Sequence, residues 1–367
     1  MKVNIVTCYE SNEERVTFII KACKLNGYDV KAYTSDFSHI RKEKRDVVPE
    51  GMTAIKTKPY NSNLSIGRLL SHKKFAEDAF KEIKKNNPDL IWVIAPALSL
   101  IKQANLYKKE NPNVKVIIDI IDMWPESLPL GAIKKTLPFK LWKNLRTNYI
   151  NCADEVVEEC DFYRETLEKE YKGTITTIHW ARDTRAEEYE LHLSNNKLSL
   201  AYIGSINNII GIDIMKELIS NIDSKVVLHI IGDGEHTEEM VKQLSEVCEV
   251  INYGPIYDEN KKQVIFSKCH AGLNIYKEGL YIGLTVKCMD YFRYGLPIIN
   301  NIKGDTWKFV DNDKIGINVD INSKLTSNEL IEMRNDNKHI MDFYNNHFGG
   351  ELFNTKCVEV INRVMNK

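Results

Sequence analysis

The chain contains 367 residues, a length that predicts two domains rather than one compact core. With 43% apolar and 28% charged residues it has the composition of an ordinary soluble protein, and no apolar run approaches the ~20 residues that span a bilayer. Its 50 basic and 51 acidic side chains almost cancel, which argues against nucleic acid as the main partner.

The first half of the chain alternates short β-branched runs with helical patterns, which predicts a parallel sheet covered by helices. The first strand comes without a basic and then apolar leader, so we expect a cytoplasmic protein. Ser11 and Glu14 have the spacing of a capping box, and Ser71 is predicted to cap a later helix. We predict strands at residues 3–7, 30–33, 90–94, 114–118, 154–157 and 175–178.

A polar segment with few apolar anchors, residues 183–197, is predicted to be a linker to a second alternating series. Its strands are predicted at residues 200–203, 226–231, 250–253, 272–275, 297–300 and 315–319. The pattern therefore predicts an α/β fold with two doubly wound domains, residues 1–182 and 198–345, facing each other across a cleft. Residues 346–367 should form a helix that packs back on the first domain. Ligands of such folds bind at the carboxyl ends of the strands.

The most informative segment, residues 283–299, joins a loop, a helix start and a strand. Gly283 ends the loop, and Thr285 can cap the helix, whose free N–H groups would then face an anion. Lys287 places a cation in the first turn, which is unfavourable unless an anion such as a diphosphate lies beside it. Asp290, one turn further along the same face, could accept hydrogen bonds from ribose hydroxyls. The alternative is a capped surface helix with a chance ion pair.

Three glycine turns end successive strands of the predicted second domain. They contain Gly204 with Ser205, Gly232 with Asp233, and Tyr253 with Gly254. Each is typical of an ordinary turn, but three in succession, followed by the helix with Lys287, indicate a nucleotide-binding edge. No dinucleotide fingerprint follows any strand, which argues against NAD-dependent oxidoreduction.

In the first domain, a buried strand leads into Asp122, Trp124 and Glu126. Carboxylates suit sugar hydroxyls and an indole suits the face of a sugar ring, so these side chains are candidates for an acceptor site. The alternative is that Asp122 caps a turn and that Trp124 packs beneath it.

Residues 134–146 combine five cations with leucine, phenylalanine and tryptophan side chains and contain no acid; the cations are Lys134, Lys135, Lys140, Lys143 and Arg146. This composition is typical of a basic amphipathic patch at a membrane surface, in which case the acceptor would be lipid-linked. Equally, the apolar face could pack on the domain while the lysines face water. The nine histidines form no ligand cluster, and Asp311 and Asp313 are predicted to lie in a solvated turn, so no metal site is predicted.

Together these segments resemble the GT-B glycosyltransferases, in particular glycosyltransferase family 4 and the bacterial surface-polysaccharide enzymes within it. The likeness rests on residues 119–127, 152–157, 202–205, 231–234 and 285–297. The last of these looks like the family's Pro-Ser-Lys-x-x-Glu-Tyr segment, with Lys287 in place of the phosphate-binding lysine and Asp290 in place of the ribose-binding glutamate.

The sequence departs from the family pattern in three places. The family's Glu-x7-Glu is missing, since Glu278 lies four residues too early, and Ser205 and Ile210 stand where the family has an arginine and a lysine. The family's Gly-Gly loop after the first strand is replaced by Thr7-Cys8-Tyr9-Glu10.

The resemblance implies metal-independent transfer, with retention of configuration, from a nucleotide diphosphate sugar, preferably a UDP-sugar, to a polysaccharide or polyprenyl-linked acceptor. The candidate catalytic groups are Asp122 and Lys287, and Trp124 and Glu126 are the candidate acceptor contacts. The predicted donor site comprises Gly204, Ser205, Gly232, Asp233, Tyr253, Gly254, Gly283, Leu284, Thr285, Lys287 and Asp290. We expect a cytoplasmic location, with peripheral binding to the inner face of the plasma membrane if residues 134–146 contact a membrane. A nucleotide-sugar epimerase and a non-catalytic subunit of another transferase are the alternatives.

Overall fold

The computed structural model describes residues 1–63, 65–128, 136–194, 196–320 and 323–366. The strands are β1 (Lys2–Val6), β2 (Asp29–Ser35), β3 (Phe37–Ser38), β4 (Glu43–Lys44), β5 (Met52–Ile55), β6 (Leu90–Ala95), β7 (Lys115–Ile120), β8 (Glu155–Glu158), β9 (Ile175–Thr177), β10 (Leu198–Ile203), β11 (Val226–Ile231), β12 (Glu249–Asn252), β13 (Ala271–Asn274), β14 (Ile298–Asn300) and β15 (Gly316–Asn318). The α-helices are α1 (Glu13–Leu25), α2 (Ile66–Asn86), α3 (Ser99–Glu110), α4 (Leu137–Thr147), α5 (Arg164–Glu170), α6 (Ile212–Ser220), α7 (Thr237–Leu244), α8 (Glu259–Phe266), α9 (Val286–Arg293), α10 (Asp305–Asp313), α11 (Ser327–Asn335), α12 (Asn337–Phe348) and α13 (Gly350–Met365).

The chain forms two compact units, Met1–Ala181 together with Gly350–Lys367, and Arg182–Gly349. The first contains a parallel sheet of order β5-β2-β1-β6-β7-β8-β9, and the second a parallel sheet of order β12-β11-β10-β13-β14-β15. In both sheets the strand order reverses beside the first strand, which is where doubly wound folds bind their ligands. The predicted α/β class with two doubly wound sheets is therefore confirmed.

The central strands are apolar because helices cover both faces of each sheet. All six residues of β6 and of β10 are buried. Strand β5 escaped prediction because it is short and two of its four residues are exposed, so it lacks the apolar run that marks the central strands.

Two predicted helix starts are wrong. Residues Glu10–Asn12 form a 3-10 turn, and α1 follows Asn12 without a side-chain cap. Helix α2 begins earlier than expected, after Ser65, whose hydroxyl accepts a hydrogen bond from the backbone N–H of Arg68 at 3.1 Å. Ser71 lies buried inside that helix and donates to the carbonyl of Lys58. A serine caps a helix only where its own backbone is extended, so a serine inside a helical stretch does not mark a helix start.

Helix α13 belongs to the first unit, where Phe353 packs against Phe18 of α1 with ring centroids 5.3 Å apart. The segment after Ala181 is bound by hydrogen bonds to other residues of the second unit. The hydroxyl of Tyr189 donates to the carbonyl of Tyr294 at 2.7 Å, and the backbone N–H of Ala186 donates to Asn345 at 2.9 Å.

Candidate functional site

Three loops meet at the carboxyl edge of the second sheet. The N–H of Gly204 donates to the carbonyl of Ile231 at 2.9 Å, and the N–H of Gly232 donates to the carbonyl of Gly254 at 2.9 Å. Gly232 has φ +142°, and a Cβ there would lie 2.0 Å from the carbonyl oxygen of Gly204. Only glycine permits this approach. The structure thus brings the three predicted glycine turns together.

Thr285 precedes α9 in an extended conformation, but it does not cap the helix as predicted. Its hydroxyl donates to Asn274 Oδ1 at 2.8 Å instead. The first-turn N–H groups of α9 therefore have no side-chain acceptor from Thr285. An uncapped helix start attracts an anion.

Asn274 begins a row of amides along the carboxyl ends of β13, β14 and β15. Asn274 and Asn300 are buried and Asn318 is partly exposed. The Asn274 side chain donates to Asn300 Oδ1 at 2.7 Å, and Asn300 donates to Asn318 Oδ1 at 2.7 Å. Asn318 in turn donates to Asp311 at 2.8 Å, and the three asparagines are paired in register, so each amide reaches the next. Asp311 lies in the last turn of α10, which ends at Asp313, and not in the predicted turn.

Lys287 is the most unusual side chain at this edge. It is 8% exposed, and its Nζ is buried with no hydrogen-bond partner among the described residues. The ammonium lies 4.1 Å from the ring centroid of Tyr202 and 4.8 Å from that of Tyr276. Burial lowers the pKa of Lys287 to about 7. Two aromatic faces compensate a desolvated charge only in part, so the site favours an anionic ligand.

Asp290 lies one turn after Lys287 on α9. Burial raises the pKa of its carboxyl group, and within the described residues it makes no hydrogen bond or ion pair. The helix is held against the sheet by Tyr291, whose hydroxyl accepts from the N–H of Ile203 at 3.0 Å. The Asp290 carboxylate is therefore held by a fixed helix and available to a ligand.

The remaining predicted donor residues take varied positions. Tyr253 is 38% exposed, and its ring stacks on His229 with centroids 5.9 Å apart. Ser205 and Asp233 are exposed, and Leu284 is buried. The carbonyl of Gly283 accepts from the N–H of Thr306 at 3.0 Å, which ties this loop to α10. Of the residues at which the sequence departs from the family pattern, Ile210 lies in the core and Glu278 is exposed.

In the first unit, Asp122 is engaged by its own loop. Its carboxylate accepts from Trp124 Nε1 at 2.6 Å and from the hydroxyl of Ser127, and burial raises its pKa to about 6. Trp124 is 9% exposed. These contacts match the alternative in which Asp122 fixes a turn with Trp124 packed beside it, and they place a carboxyl group of raised pKa beside the carboxyl end of β7.

Glu126 is bound by cations of α4. It accepts from Arg146 Nη2 at 2.6 Å and lies 2.8 Å from Lys143 Nζ. Arg146 is fully buried and also pairs with Glu170 at 2.8 Å. Two of the cations predicted to face a membrane therefore pair with acids from other segments. Lys134 and Lys135 lie outside the described residues.

The apolar side chains of α4 are partly exposed and do not pack fully on the unit. With α2 and α3 they line a groove of about 370 Å³. Leu141 is 58% exposed, and Ile66 and Leu70 of α2 are 77% and 49% exposed. Lys73 and Lys102 also line the groove. Such an exposed apolar patch suits an apolar partner.

A cluster of polar and aromatic side chains was missed. The hydroxyl of Tyr9 contacts His72 Nε2 at 2.6 Å and accepts from Arg68 Nη2 at 3.0 Å. His39 Nδ1 contacts the hydroxyl of Tyr60 at 2.7 Å. The sequence holds a signal only for Tyr9, which follows the predicted first strand at its carboxyl end; His39 follows β3 of the separate two-stranded sheet, and Tyr60 follows β5, which was not predicted.

No family model matches the sequence, and no curated protein matches it. Solved structures do. Sucrose-phosphate synthase from Thermosynechococcus elongatus is 14% identical with a TM-score of 0.73, and the alignment covers 100% of this chain and 99% of that one. HepE of Anabaena in complex with UDP and glucose is 11% identical with a TM-score of 0.64, covering 99% and 100%.

Two further structures share the fold. The lipopolysaccharide outer core galactosyltransferase WaaB is 15% identical with a TM-score of 0.58, covering 97% and 94%. A putative UDP-N-acetylglucosamine 2-epimerase from Listeria monocytogenes is 12% identical with a TM-score of 0.57, covering 98% and 95%. These likenesses show that the chain has the GT-B fold.

None of the helices in the described ranges combines the length and apolar character required to cross a bilayer. Within the same ranges, no three His, Cys, Asp or Glu side chains are grouped as metal ligands would be.

Proposed function

We propose that this chain is a glycosyltransferase that moves a sugar from a nucleotide diphosphate sugar to a glycan or lipid-linked acceptor. The observation that carries the proposal is Lys287, a buried ammonium without a partner among the described residues, in the first turn of a helix that Thr285 leaves uncapped. A diphosphate supplies the negative counter-charge that the Lys287 ammonium lacks. Its oxygens also accept hydrogen bonds from the first backbone N–H groups of α9. The UDP bound to HepE supports uridine as the nucleoside.

In the proposed reaction, the bond between the anomeric carbon and the diphosphate oxygen breaks as the acceptor hydroxyl attacks. Negative charge grows on the departing diphosphate, where Lys287 and the N–H groups of α9 stabilise it. Asp290 binds the ribose hydroxyls, and Tyr253 and Gly254 border the base. We propose retention of configuration by transfer through one face of the sugar, in which the proton of the acceptor hydroxyl passes to the departing diphosphate oxygen, so that neither a protein base nor a metal ion is needed.

The acceptor side is proposed for the first unit. Asp122, with a pKa raised to about 6, is suited to accept a hydrogen bond that orients the acceptor hydroxyl. Trp124 contributes an aromatic edge, and Glu126, through Arg146, holds the loop in place. The apolar groove between α2 and α4 supports a lipid-linked acceptor at the cytoplasmic face of the membrane. A role in bacterial surface-glycan synthesis follows from the resemblance described above.

The first test is calorimetric binding of UDP, GDP and NAD to the wild type, to Lys287→Ala and to Lys308→Ala, a control that removes an exposed lysine of the same unit. We expect UDP to bind to the wild type and the control, and to lose at least about tenfold in affinity in Lys287→Ala. Equal UDP affinity in all three proteins would overturn the assignment of Lys287.

One alternative enzyme class is favoured by a specific observation, the shared fold with the Listeria protein named as an epimerase. An epimerase converts the nucleotide sugar without an acceptor. Incubating candidate UDP-sugars alone and following them by NMR separates the two activities, because only an epimerase yields a new sugar nucleotide. Failure to bind any nucleotide would leave the non-catalytic subunit as the better interpretation.

A further inference from the structure

We propose that Arg68 and Lys42 of the first unit form a binding site for a phosphate group of the acceptor. This inference deepens the proposed function, on which it rests, because it names the chemistry by which the acceptor is held. Neither residue was singled out in the sequence.

Arg68 is buried and lacks an acidic partner. It is 7% exposed, and no carboxylate lies within 4 Å of it in the described part of the chain. Its guanidinium donates to two oxygens, the Tyr9 hydroxyl at 3.0 and 3.3 Å and the Asn63 carbonyl at 2.7 Å. A guanidinium has five N–H groups, so these three bonds leave two, and the Tyr60 hydroxyl competes with a ligand for one of them.

Other buried arginines of the chain are engaged differently. Arg15 pairs with Asp119 at 2.8 Å and makes four donor bonds in all, and Arg146 pairs with Glu126 and Glu170. Arg334 has no acid partner, but its five donor bonds go to four carbonyl oxygens and one tyrosine hydroxyl. Arg68 therefore differs from these arginines in combining unused N–H groups with the lack of an acidic partner among the described residues.

A second cation lies beside Arg68. Lys42 Nζ donates to the His39 carbonyl and to Asn63 Oδ1, and it lies 4.7 Å from the ring centroid of Tyr60. Arg68 lies 5.9 Å from the centroid of the same ring. The nearby carboxylate of Glu10 is occupied by the hydroxyl of Ser38 and two backbone N–H groups. Both cations also bond to Asn63, and two like charges held in one cluster favour the binding of an anion.

The cluster lies where such folds bind ligands, since Tyr9 follows β1 beside the point of strand-order reversal. A guanidinium fork and an ammonium together match the several oxygens of a phosphate. His72 joins this cluster to the apolar groove, because it contacts the Tyr9 hydroxyl at 2.6 Å and also lines the groove. This continuity favours a phosphate that carries a hydrocarbon chain over a soluble sugar phosphate.

The experiment uses the whole 367-residue chain. Every sample carries Lys287→Met, which removes diphosphate binding at the proposed donor site, so that the titrations measure binding at Arg68 and Lys42. Inorganic diphosphate and geranyl diphosphate are titrated by calorimetry into this protein and into versions that also carry Arg68→Met, Lys42→Met or Arg41→Met. Arg41 is the matched control, because its side chain is 78% exposed and lies 3.7 Å from Glu43. Thermal unfolding of each version checks that it is folded, and the partly exposed Lys42 provides a variant that leaves the buried arginine intact.

We expect Arg68→Met and Lys42→Met to weaken diphosphate binding by about tenfold or more, and Arg41→Met to leave it unchanged. Tighter binding of geranyl diphosphate than of inorganic diphosphate supports a lipid phosphate, and equal binding supports a soluble phosphate at the same site. Affinities in the Arg68 and Lys42 variants equal to that of the Arg41 control would overturn the proposal, whatever the outcome of the UDP titrations.

Discussion

Lys287 and Arg68 are both buried cations near the carboxyl edge of a parallel sheet, yet their surroundings differ. Lys287 touches aromatic rings and has no hydrogen-bond partner in the described residues, whereas Arg68 is bound by Tyr9 and Asn63 and lies 4.2 Å from the ring centroid of Trp124. The buried charge of Lys287 therefore destabilises the folded protein until an anion binds, and its lowered pKa makes it lose its proton near neutral pH. The arginine is oriented in advance by its hydrogen bonds. The two sites should therefore respond differently to mutation and to pH.

The largest effect is expected from a change that spares both cations. Gly232→Ala places a Cβ 2.0 Å from the Gly204 carbonyl oxygen, so we expect a loss of about 4 kcal/mol or more in the free energy of unfolding, together with loss of UDP binding. Gly254→Ala is the control, because its φ is +68° but nothing lies within 4 Å of the added carbon. It should cost only about 1–2 kcal/mol. Urea unfolding measures both, and equal losses would contradict the close contact.

The pH dependence of binding separates the cations directly. With a pKa of about 7 in the free protein, Lys287 is charged below pH 7 and largely neutral at pH 9. UDP affinity should therefore fall by up to about fiftyfold between pH 7 and pH 9, because binding must then take up a proton. Lys287→Met should lose this slope. Binding of geranyl diphosphate at the Arg68 site, measured in the Lys287→Met protein, should show no such fall.

Removing each cation should change stability in opposite directions. Lys287→Met removes an unpaired buried charge and should raise the free energy of unfolding by about 1–2 kcal/mol at pH 7. Arg68→Met leaves the Asn63 carbonyl and the Tyr9 hydroxyl without their donor and should lower it by about 2–3 kcal/mol. The gain from Lys287→Met should shrink from pH 7 to pH 10, because the unfolded lysine holds its proton there and the folded one does not. If both substitutions changed the free energy of unfolding in the same direction, the proposed difference between the two cations would be wrong.

The smallest expected effect concerns the orientation of Arg68. Tyr9→Phe removes the hydroxyl that Arg68 and His72 share, and should cost about 1 kcal/mol in the free energy of unfolding. Diphosphate binding in the Lys287→Met background should weaken a few-fold, less than in Arg68→Met. Tyr28→Phe is a suitable control, since that hydroxyl bonds only to Asn362 at an exposed position. A change in Tyr9→Phe as large as in Arg68→Met would mean that the hydroxyl itself binds the anion.

The two sites also differ in how far the sequence predicts them. Lys287 and Asp290 lie in one short segment, and the glycine turns follow strands whose apolar runs are easily recognised, so local pattern is enough. Arg68 is different, because its contacts come from segments that meet only through the strand order of the first sheet. It also lies in the first turn of a helix whose start was predicted too late, at Ser71 instead of Ser65. Glu126 shows the same limit, since its partner Arg146 was expected to face outward.

The amides of Asn274, Asn300 and Asn318 all donate in one direction, away from Thr285 and toward Asp311. Groups that can only accept fix that direction, because Asn318 donates to the Trp307 carbonyl as well as to Asp311, and Asn300 donates to the Ile302 carbonyl. The orientation of one hydroxyl at the start of α9 is thus held by acceptors that lie beside two other strands. Neutralising Asp311 alone leaves both carbonyls in place, so Thr285 should keep its bond to Asn274 and leave the N–H groups of α9 to the ligand.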